Sequence, residues 1–526
     1  MQKIMKYLND FILFFRTYNS IFLYGLFFIL MLVTISHKVN YHPDEIASYM
    51  LANSSRPFQY IITEKTYKPS KDVYVNNMYV SHENRFDYSN VWRNQAKDVH
   101  PPFYYAILHT LCSVFYKNFN DMHVASINII FALLTLYVLR KLIKELTNND
   151  KYIVTAISIT FILSSGILSA VSFFRMYIMA MFLVTLLSLL LVKEIDKEKI
   201  DNIFLIKFYL IVFSSILTHY YCMIYISLIS MVFCLYLLKD KKIRFLFTFI
   251  LTGIAALISS YLVFPAMIIH IFYSYRGLES HTNLLGSPSE YLTKIKDYYC
   301  IVNTEFFGGF LGWIASVFCV FIINCILKKN INGNLKSFAK KYALIFIPCL
   351  GYFFIISKIA VLVTTRYMYP IYAVMIMLVL NMMMYVIFKV VRNKIIYICI
   401  AMVLSFIVIN EYKSTWGKYL YRKEEHFLQN AKNYKDVDSL FVFDHIWKTV
   451  VIYNEIQSYR SITFIHKSSL ENLQNLEIAN QKELVVLVVD DNQEIIKKIM
   501  SAYPQLSKYK KIGNYIYSSS YYLYAD

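Results

Sequence analysis

The chain has 526 residues, of which 57% are hydrophobic and 17% charged, and its mean hydropathy is +0.45. Soluble globular proteins carry roughly 25% charged residues, so lipid must be the main solvent here and an ordinary soluble enzyme is excluded. The net charge of +19 does not indicate nucleic acid, because Lys and Arg fall in short clusters between apolar runs, and the eight cysteines, with no CxxC pair, indicate neither a disulfide scaffold nor a zinc site.

A helix needs about 20 residues to cross the hydrocarbon core. Lys3, Lys6 and Arg16 precede the uncharged run 17–36, which has no small-residue cleavage site and reads as a retained first span. Further runs follow at 122–139, 152–174, 176–192, 245–275, 306–327, 342–357, 367–388 and 395–410, while 208–238 is too long for one crossing and divides at Thr218-His219. Basic residues are retained on the cytoplasmic side during insertion. The connections 140–151, 193–207, 239–244, 328–341 and 389–394 hold 4, 4, 4, 5 and 3 of them and are expected inside; the turns 172–175, 218–221 and 358–366 hold 1, 0 and 2 and are expected outside. About eleven spans result, twelve to thirteen at most, because 103–116 is helical in pattern but too short to cross with certainty. The expected fold is a polytopic α-helical membrane domain over 1–410, with loop 37–102 outside, followed by an extracytoplasmic α/β domain over 411–526. In that tail the pattern predicts strands at 439–443, 461–465 and 483–489, helices at 446–457, 469–479 and 492–502, and two Tyr-rich strands between 512 and 524.

The unusual polar residues collect on the outer face. His42-Pro43-Asp44-Glu45 opens a stretch that reads as a helix lying at the membrane surface. Asp44 suits an N-cap and Glu45 a first turn; alternatively, a carboxylate shielded from bulk water serves as a general base or holds a cation. The same loop closes with Asp98-Val99-His100-Pro101-Pro102, where the prolines mark a helix start without explaining Asp98 and His100. Arg175 and Tyr177, then Arg366 and Tyr367, stand at outer ends of spans, and His219-Tyr220-Tyr221 forms another outer turn. Snorkelling accounts for one such arginine, and Tyr is an ordinary interfacial residue. Two arginines on the face that carries two carboxylates also suit a lipid phosphate, which the planar guanidinium can grip through paired hydrogen bonds.

Together, Asp44-Glu45, Asp98-Val99-His100-Pro101-Pro102, Arg175-Met176-Tyr177 and Arg366-Tyr367 resemble the family 39-type GT-C membrane glycosyltransferases, which include protein O-mannosyltransferases and bacterial aminoarabinose lipid A transferases. The resemblance implies inverting transfer of a sugar from a polyprenyl-phosphate donor to a glycan, lipid or protein acceptor at the outer face of the plasma membrane. It makes Asp44 the base with Glu45 beside it, puts Arg175, Arg366, Tyr177 and Tyr367 on the donor phosphate, and puts Asp98, His100, His219 and Tyr220 in the substrate pocket. No cofactor is assigned. Paired carboxylates can hold Mg²⁺ or Mn²⁺, but two ligands do not make a site. The remaining alternatives are a lipid-linked-sugar polymerase, with much the same layout, and a lipid or polysaccharide transporter, which calls for more ionisable residues within the spans than His109 and His270.

Overall fold

The computed structural model describes residues 20–55, 63–67, 77–116, 120–198, 201–312, 333–390, 404–413 and 416–525. The first expected span appears as α1 (Ser20–Ser36); Lys3, Lys6 and Arg16 lie outside the described residues. Loop helices α2 (Pro43–Asn53), α3 (Tyr88–Lys97) and the short α4 (Phe103–Val114) follow. Then come α5 (Met122–Thr147), α6 (Lys151–Leu163), α7 (Ser165–Ser172), α8 (Tyr177–Glu194), α9 (Asn202–Ile216), α10 (Tyr221–Lys239) and α11 (Ile243–Val263). After these stand α12 (Ala266–Phe272), α13 (Tyr275–Leu285), α14 (Pro288–Phe307), α15 (Gly333–Ile359) and α16 (Tyr369–Val390), and residues 404–413 form a further helix.

Among the described residues, α5, α8, α10, α11 and most of α15 are long and apolar enough to cross a membrane, and α6 and α7, bent by 50° at the break between them, meet the same criterion only as a pair. Four shorter apolar helices, α1, α4, α9 and the described part of α16, accompany them. Parts of the expected spans 306–327 and 395–410 lie outside the described residues. Helix α8 is buried on nearly every side and packs against α5 and α16, so it is apolar all round rather than amphipathic. By contrast, α11 turns Phe247, Leu251 and Leu262 outward at 63%, 62% and 70% exposure, the surface a helix presents to lipid.

Three departures from the sequence pattern have local causes. The run 152–174 breaks at Ser164, which adopts an extended conformation and caps α7 by accepting from the Gly166 amide. Gly166 is required there, since an added Cβ would sit 2.5 Å from the Tyr372 hydroxyl oxygen. The run 245–275 ends at Val263 because Pro265 cannot continue the helical ladder. The start of 306–327 belongs instead to the end of α14, where Gly308 takes a left-handed conformation (φ +56°) with the Ile407 carbonyl 2.5 Å from where a Cβ would be.

The tail folds around a six-stranded sheet ordered β1-β3-β2-β4-β6-β5, from β1 (Thr66–Tyr67), β2 (Asp438–Phe443), β3 (Ser461–His466), β4 (Glu483–Val489), β5 (Lys508–Asn514) and β6 (Ser518–Tyr524). Strand β2 runs parallel to β3 and β4 and is buried along its whole length, as a central strand covered on both faces must be. The edge strand β1 comes from the first loop and pairs antiparallel with β3, a junction the sequence did not reveal. The predicted helix 492–502 forms as α-helix Gln493–Ala502, whereas 446–457 and 469–479 form 3-10 turns. The run Thr449-Val450-Val451-Ile452 is β-branched throughout, which disfavours an α-helix, and Ser468, Ser469, Asn472 and Asn475 compete for their own backbone.

Candidate active site

Helix α2 begins at an unusual cap. His42 is the N-cap: its Nδ1 accepts from the Asp44 amide at 3.1 Å, and the Glu45 carboxylate accepts from the His42 amide at 2.6 Å, closing a capping box around Pro43. The capping role expected of Asp44 therefore falls to His42 and Glu45. Successive helical residues point about 100° apart, so Asp44 and Glu45 face different surroundings. The Asp44 side chain is 36% exposed and that of Glu45 1%.

Glu45 is held on all sides. Lys38 Nζ donates to its two oxygens at 2.9 and 3.1 Å, and the Phe174 amide donates at 2.7 Å. Lys38 also donates to the carbonyls of Ser172 and Tyr419, at 3.1 and 2.7 Å. This buried pair therefore joins the α2 cap to the end of α7 and to the segment entering the tail. Asn128 completes the support of that turn by donating to the carbonyls of Val171 and Phe173 at 2.9 and 3.0 Å. Lys38→Met, which leaves Glu45 an unpaired buried charge, is expected to lower stability by about 3–5 kcal/mol. Thermal unfolding checks this: the melting temperature should fall, and adding Glu45→Gln to the same chain should recover part of the loss.

The turn fixed in this way carries Arg175, which is 2% exposed. Its Nη1 donates to the Asp44 carbonyl, the Ser48 hydroxyl and the Tyr105 hydroxyl at 3.1, 2.8 and 3.0 Å, and its Nη2 donates to His100 Nε2 at 3.0 Å. A guanidinium has no acceptor, so His100 Nε2 must carry a lone pair and His100 Nδ1–H donates to Asp98, 2.6 Å away. From the other side Arg366 Nη1 donates to Asp44 Oδ2 at 2.5 Å. Arg366 sits in a 3-10 turn, Thr365–Tyr367, anchored by Thr365 Oγ1 donating to Glu305 at 2.6 Å and by the Tyr352 hydroxyl donating to the Tyr367 carbonyl at 2.7 Å.

Residues from four separate parts of the chain thus form one connected cluster: Asp98, His100, Arg175, Asp44 and Arg366. Burial by itself would raise the Asp44 carboxyl, but His42, Arg366, Arg175 and His100 outweigh it and hold the group well below the usual carboxylate range. Burial pushes His42 down to about 4, overriding the pull of Asp44. The Nε–H of Arg175 and that of Arg366 are buried with no acceptor among the described residues, so two charge-assisted donors remain available beside Asp44.

The other expected site residues are placed unequally. The Tyr177 ring stacks on Phe173 and lies 5.3 Å from the His219 ring. His219 accepts from the Tyr221 amide, and burial, with His100 and both arginines adding to it, pushes its imidazole down to about 3. Tyr367 lies under the Arg366 guanidinium, 5.5 Å from ring centroid to charge. Tyr220 is turned elsewhere: its hydroxyl pairs with His270 Nδ1 at 2.8 Å, and His270 Nε2 donates to the Ala96 carbonyl at 3.3 Å. His109 likewise has a partner, Asn53, at 3.2 Å.

A divalent cation does not fit this arrangement. Both Glu45 oxygens are occupied by Lys38 and amide donors, Asp44 faces Arg366, and among the described residues no three His, Cys, Asp or Glu side chains group as metal ligands. Lys38 and His42 were not singled out in the sequence. The Glu three residues after His42, with Pro between them, is the capping-box pattern that could have found His42.

No protein-family model matches the chain, and no curated protein matches its sequence. Solved structures do. ArnT from Cupriavidus metallidurans bound to undecaprenyl phosphate aligns with a TM-score of 0.53 at 10% identity, covering 95% of this chain and 97% of that one. Its apo state gives 0.52 at 10% identity, over 96% and 98%. Likeness at this identity concerns the fold: with its apolar helical bundle, the appended sheet domain and near-complete coverage of both chains, the protein is a polytopic helical protein that shares the fold of ArnT.

Proposed function

We propose that the chain is a membrane glycosyltransferase that moves a sugar from a polyprenyl-phosphate carrier to an acceptor hydroxyl with inversion, at the face that bears the sheet domain. The contact between Asp44 and Arg366, with spare guanidinium donors on Arg366 and Arg175 beside it, carries this reading. Inverting displacement needs a leaving-group site and an acceptor site on opposite sides of one anomeric carbon, and here an anion-binding pair adjoins a partly open carboxylate. Negative charge grows on the departing phosphate, so the arginines bind the transition state more strongly than the ground state. Asp44 orients the acceptor hydroxyl and takes its proton. Hydrogen bonds drawn from Arg366 toward the phosphate relieve Asp44 of its neutralising partner, so its basicity rises when the donor is bound.

Glu45 acts in this scheme as a positioning residue with Lys38, and His100, oriented by Asp98, sets the angle of Arg175. Tyr177, Tyr367 and His219 wall the pocket; Tyr220, paired with His270, supports the Asp98 loop. The alternation of basic connections supports an extracytoplasmic site in the plasma membrane, where nucleotide sugars are absent and a lipid carrier supplies the donor. The partners are the lipid-linked sugar, a hydroxyl-bearing acceptor and the surrounding lipids, with no nucleic acid. Purified chain in lipid nanodiscs, supplied with a panel of undecaprenyl-phosphate sugars and envelope glycolipids, is expected to release undecaprenyl phosphate in step with a glycosylated product. Failure with every donor, in protein that still unfolds cooperatively, would count against an enzyme.

A further inference from the structure

The sheet domain reaches the α2 cap through its β5–β6 hairpin. Strands β5 and β6 are joined by a tight turn in which the Tyr515 amide donates to the Ser518 carbonyl at 2.8 Å, leaving Ile516 63% exposed and Tyr517 half-buried. Glu424 clamps this tip to the first loop: one carboxylate oxygen accepts from the Ile516 amide at 2.9 Å and the other from Asn40 Nδ2 at 2.6 Å. Asn454 adds a second tie, donating to Asn40 Oδ1 at 2.9 Å and to the Val39 carbonyl at 3.1 Å. The tip is thereby held two residues from the α2 cap, and the Tyr517 ring meets His42 edge-on with centroids 5.7 Å apart. On its other side His42 meets Phe173, at 5.5 Å, and Phe173 stacks with Tyr419 at 4.2 Å. Tyr517 also lies within electrostatic reach of both Asp44 and Arg366.

We propose that Tyr517, at the tip of the β5–β6 hairpin, is an acceptor-binding residue, and that the acceptor it receives is a carbohydrate. The inference rests on the glycosyltransferase reading above and extends it to the second substrate. The lipid carrier must approach from the helical bundle, where its chain is solvated, whereas the hairpin arrives from the domain beyond the helix ends. Inversion requires the acceptor to come from the side opposite the leaving phosphate, and the hairpin brings Tyr517 to the His42 cap beside Asp44, the carboxylate that takes the acceptor proton. The aromatic surface it leaves accessible is that of Tyr517 and His42, backed by the buried rings of Phe173 and Tyr419. Aromatic faces are electron-rich and suit the C–H faces of a pyranose, while Asp44 takes the sugar hydroxyl.

The test uses the full chain in detergent, with Tyr517→Ala, Tyr517→Phe and wild type compared by saturation-transfer NMR. The probes are the methyl glycosides of glucose, galactose, mannose and N-acetylglucosamine. At least one is expected to receive saturation on its ring protons from wild type, with the effect kept in Tyr517→Phe and its affinity weakened about five- to tenfold in Tyr517→Ala, the loss of one aromatic contact. Binding of undecaprenyl phosphate, followed by thermal shift in the same samples, should be equal in all three and shows that the alanine variant is folded. Silence from wild type with all four glycosides, or equal affinity in wild type and Tyr517→Ala, overturns the proposal. Loss of undecaprenyl phosphate binding by wild type overturns the donor assignment instead.

Discussion

Asp44→Asn is expected to lower sugar transfer by about 10²–10⁴-fold while leaving affinity for undecaprenyl phosphate intact, the range typical for removal of a positioned general base. Asparagine keeps the shape of the side chain and can still accept from Arg366, so the loop and the cap should not rearrange. The amide cannot take the acceptor proton, and the loss should therefore appear in kcat more than in the donor KM. A Glu45→Gln variant behaves differently. It removes the partner of buried Lys38, which holds both the α2 cap and the Arg175 turn, so activity and melting temperature should fall together. The contrast separates a residue that touches the reacting atoms from one that positions them, and equal melting temperatures for wild type, Asp44→Asn and Glu45→Gln would erase it.

Arg366→Gln is expected to reduce kcat/KM by about 10²–10³-fold, comparable to the removal of one preorganised donor from a site of developing charge. Arg366→Lys should fall between, since an ammonium keeps the charge but loses the planar fork that can serve carboxylate and phosphate together. The pH profile gives a second readout. Arg366 is among the groups that hold the Asp44 carboxyl below its usual range, so in the native chain Asp44 stays ionised well into acid and the acid limb of activity lies low. Without Arg366 the carboxyl titrates higher, and the acid limb should move toward neutral pH. An acid limb that stays in place, with kcat/KM unchanged, would detach Arg366 from the chemistry.

The helical bundle was legible in the sequence because a membrane span needs about 20 apolar residues and leaves basic clusters at its inner ends. Parts of the cluster were legible for a related reason: a charged side chain such as Arg175 or Arg366 at the end of an apolar run needs a partner. Asp44 and Arg366 are 322 residues apart, and no periodicity predicts that they touch. Adjacent Asp44 and Glu45 read as a pair in one dimension and separate by a third of a helical turn in three. Nothing in the sequence marks Lys38, because its partners lie 7, 134 and 381 positions away. The breaks at Ser164 and Pro265 were written in Ser-Ser-Gly and Phe-Pro, signals that hydropathy averages away. In the tail, strand positions followed from apolar runs, while β-branched and Ser/Asn-rich connections wound as 3-10 turns instead of helices. The edge strand from residues 66–67 depended on tertiary contact alone.

The most direct measurement is a structure of the full chain with undecaprenyl phosphate bound. Phosphate density is expected against Arg366 and Arg175, with the Arg366 guanidinium drawn from Asp44 toward it and the Asp44 carboxylate left facing the side of Tyr517. A phosphate bound elsewhere, with the contact between Asp44 and Arg366 undisturbed, would contradict a shared pocket for base and leaving group.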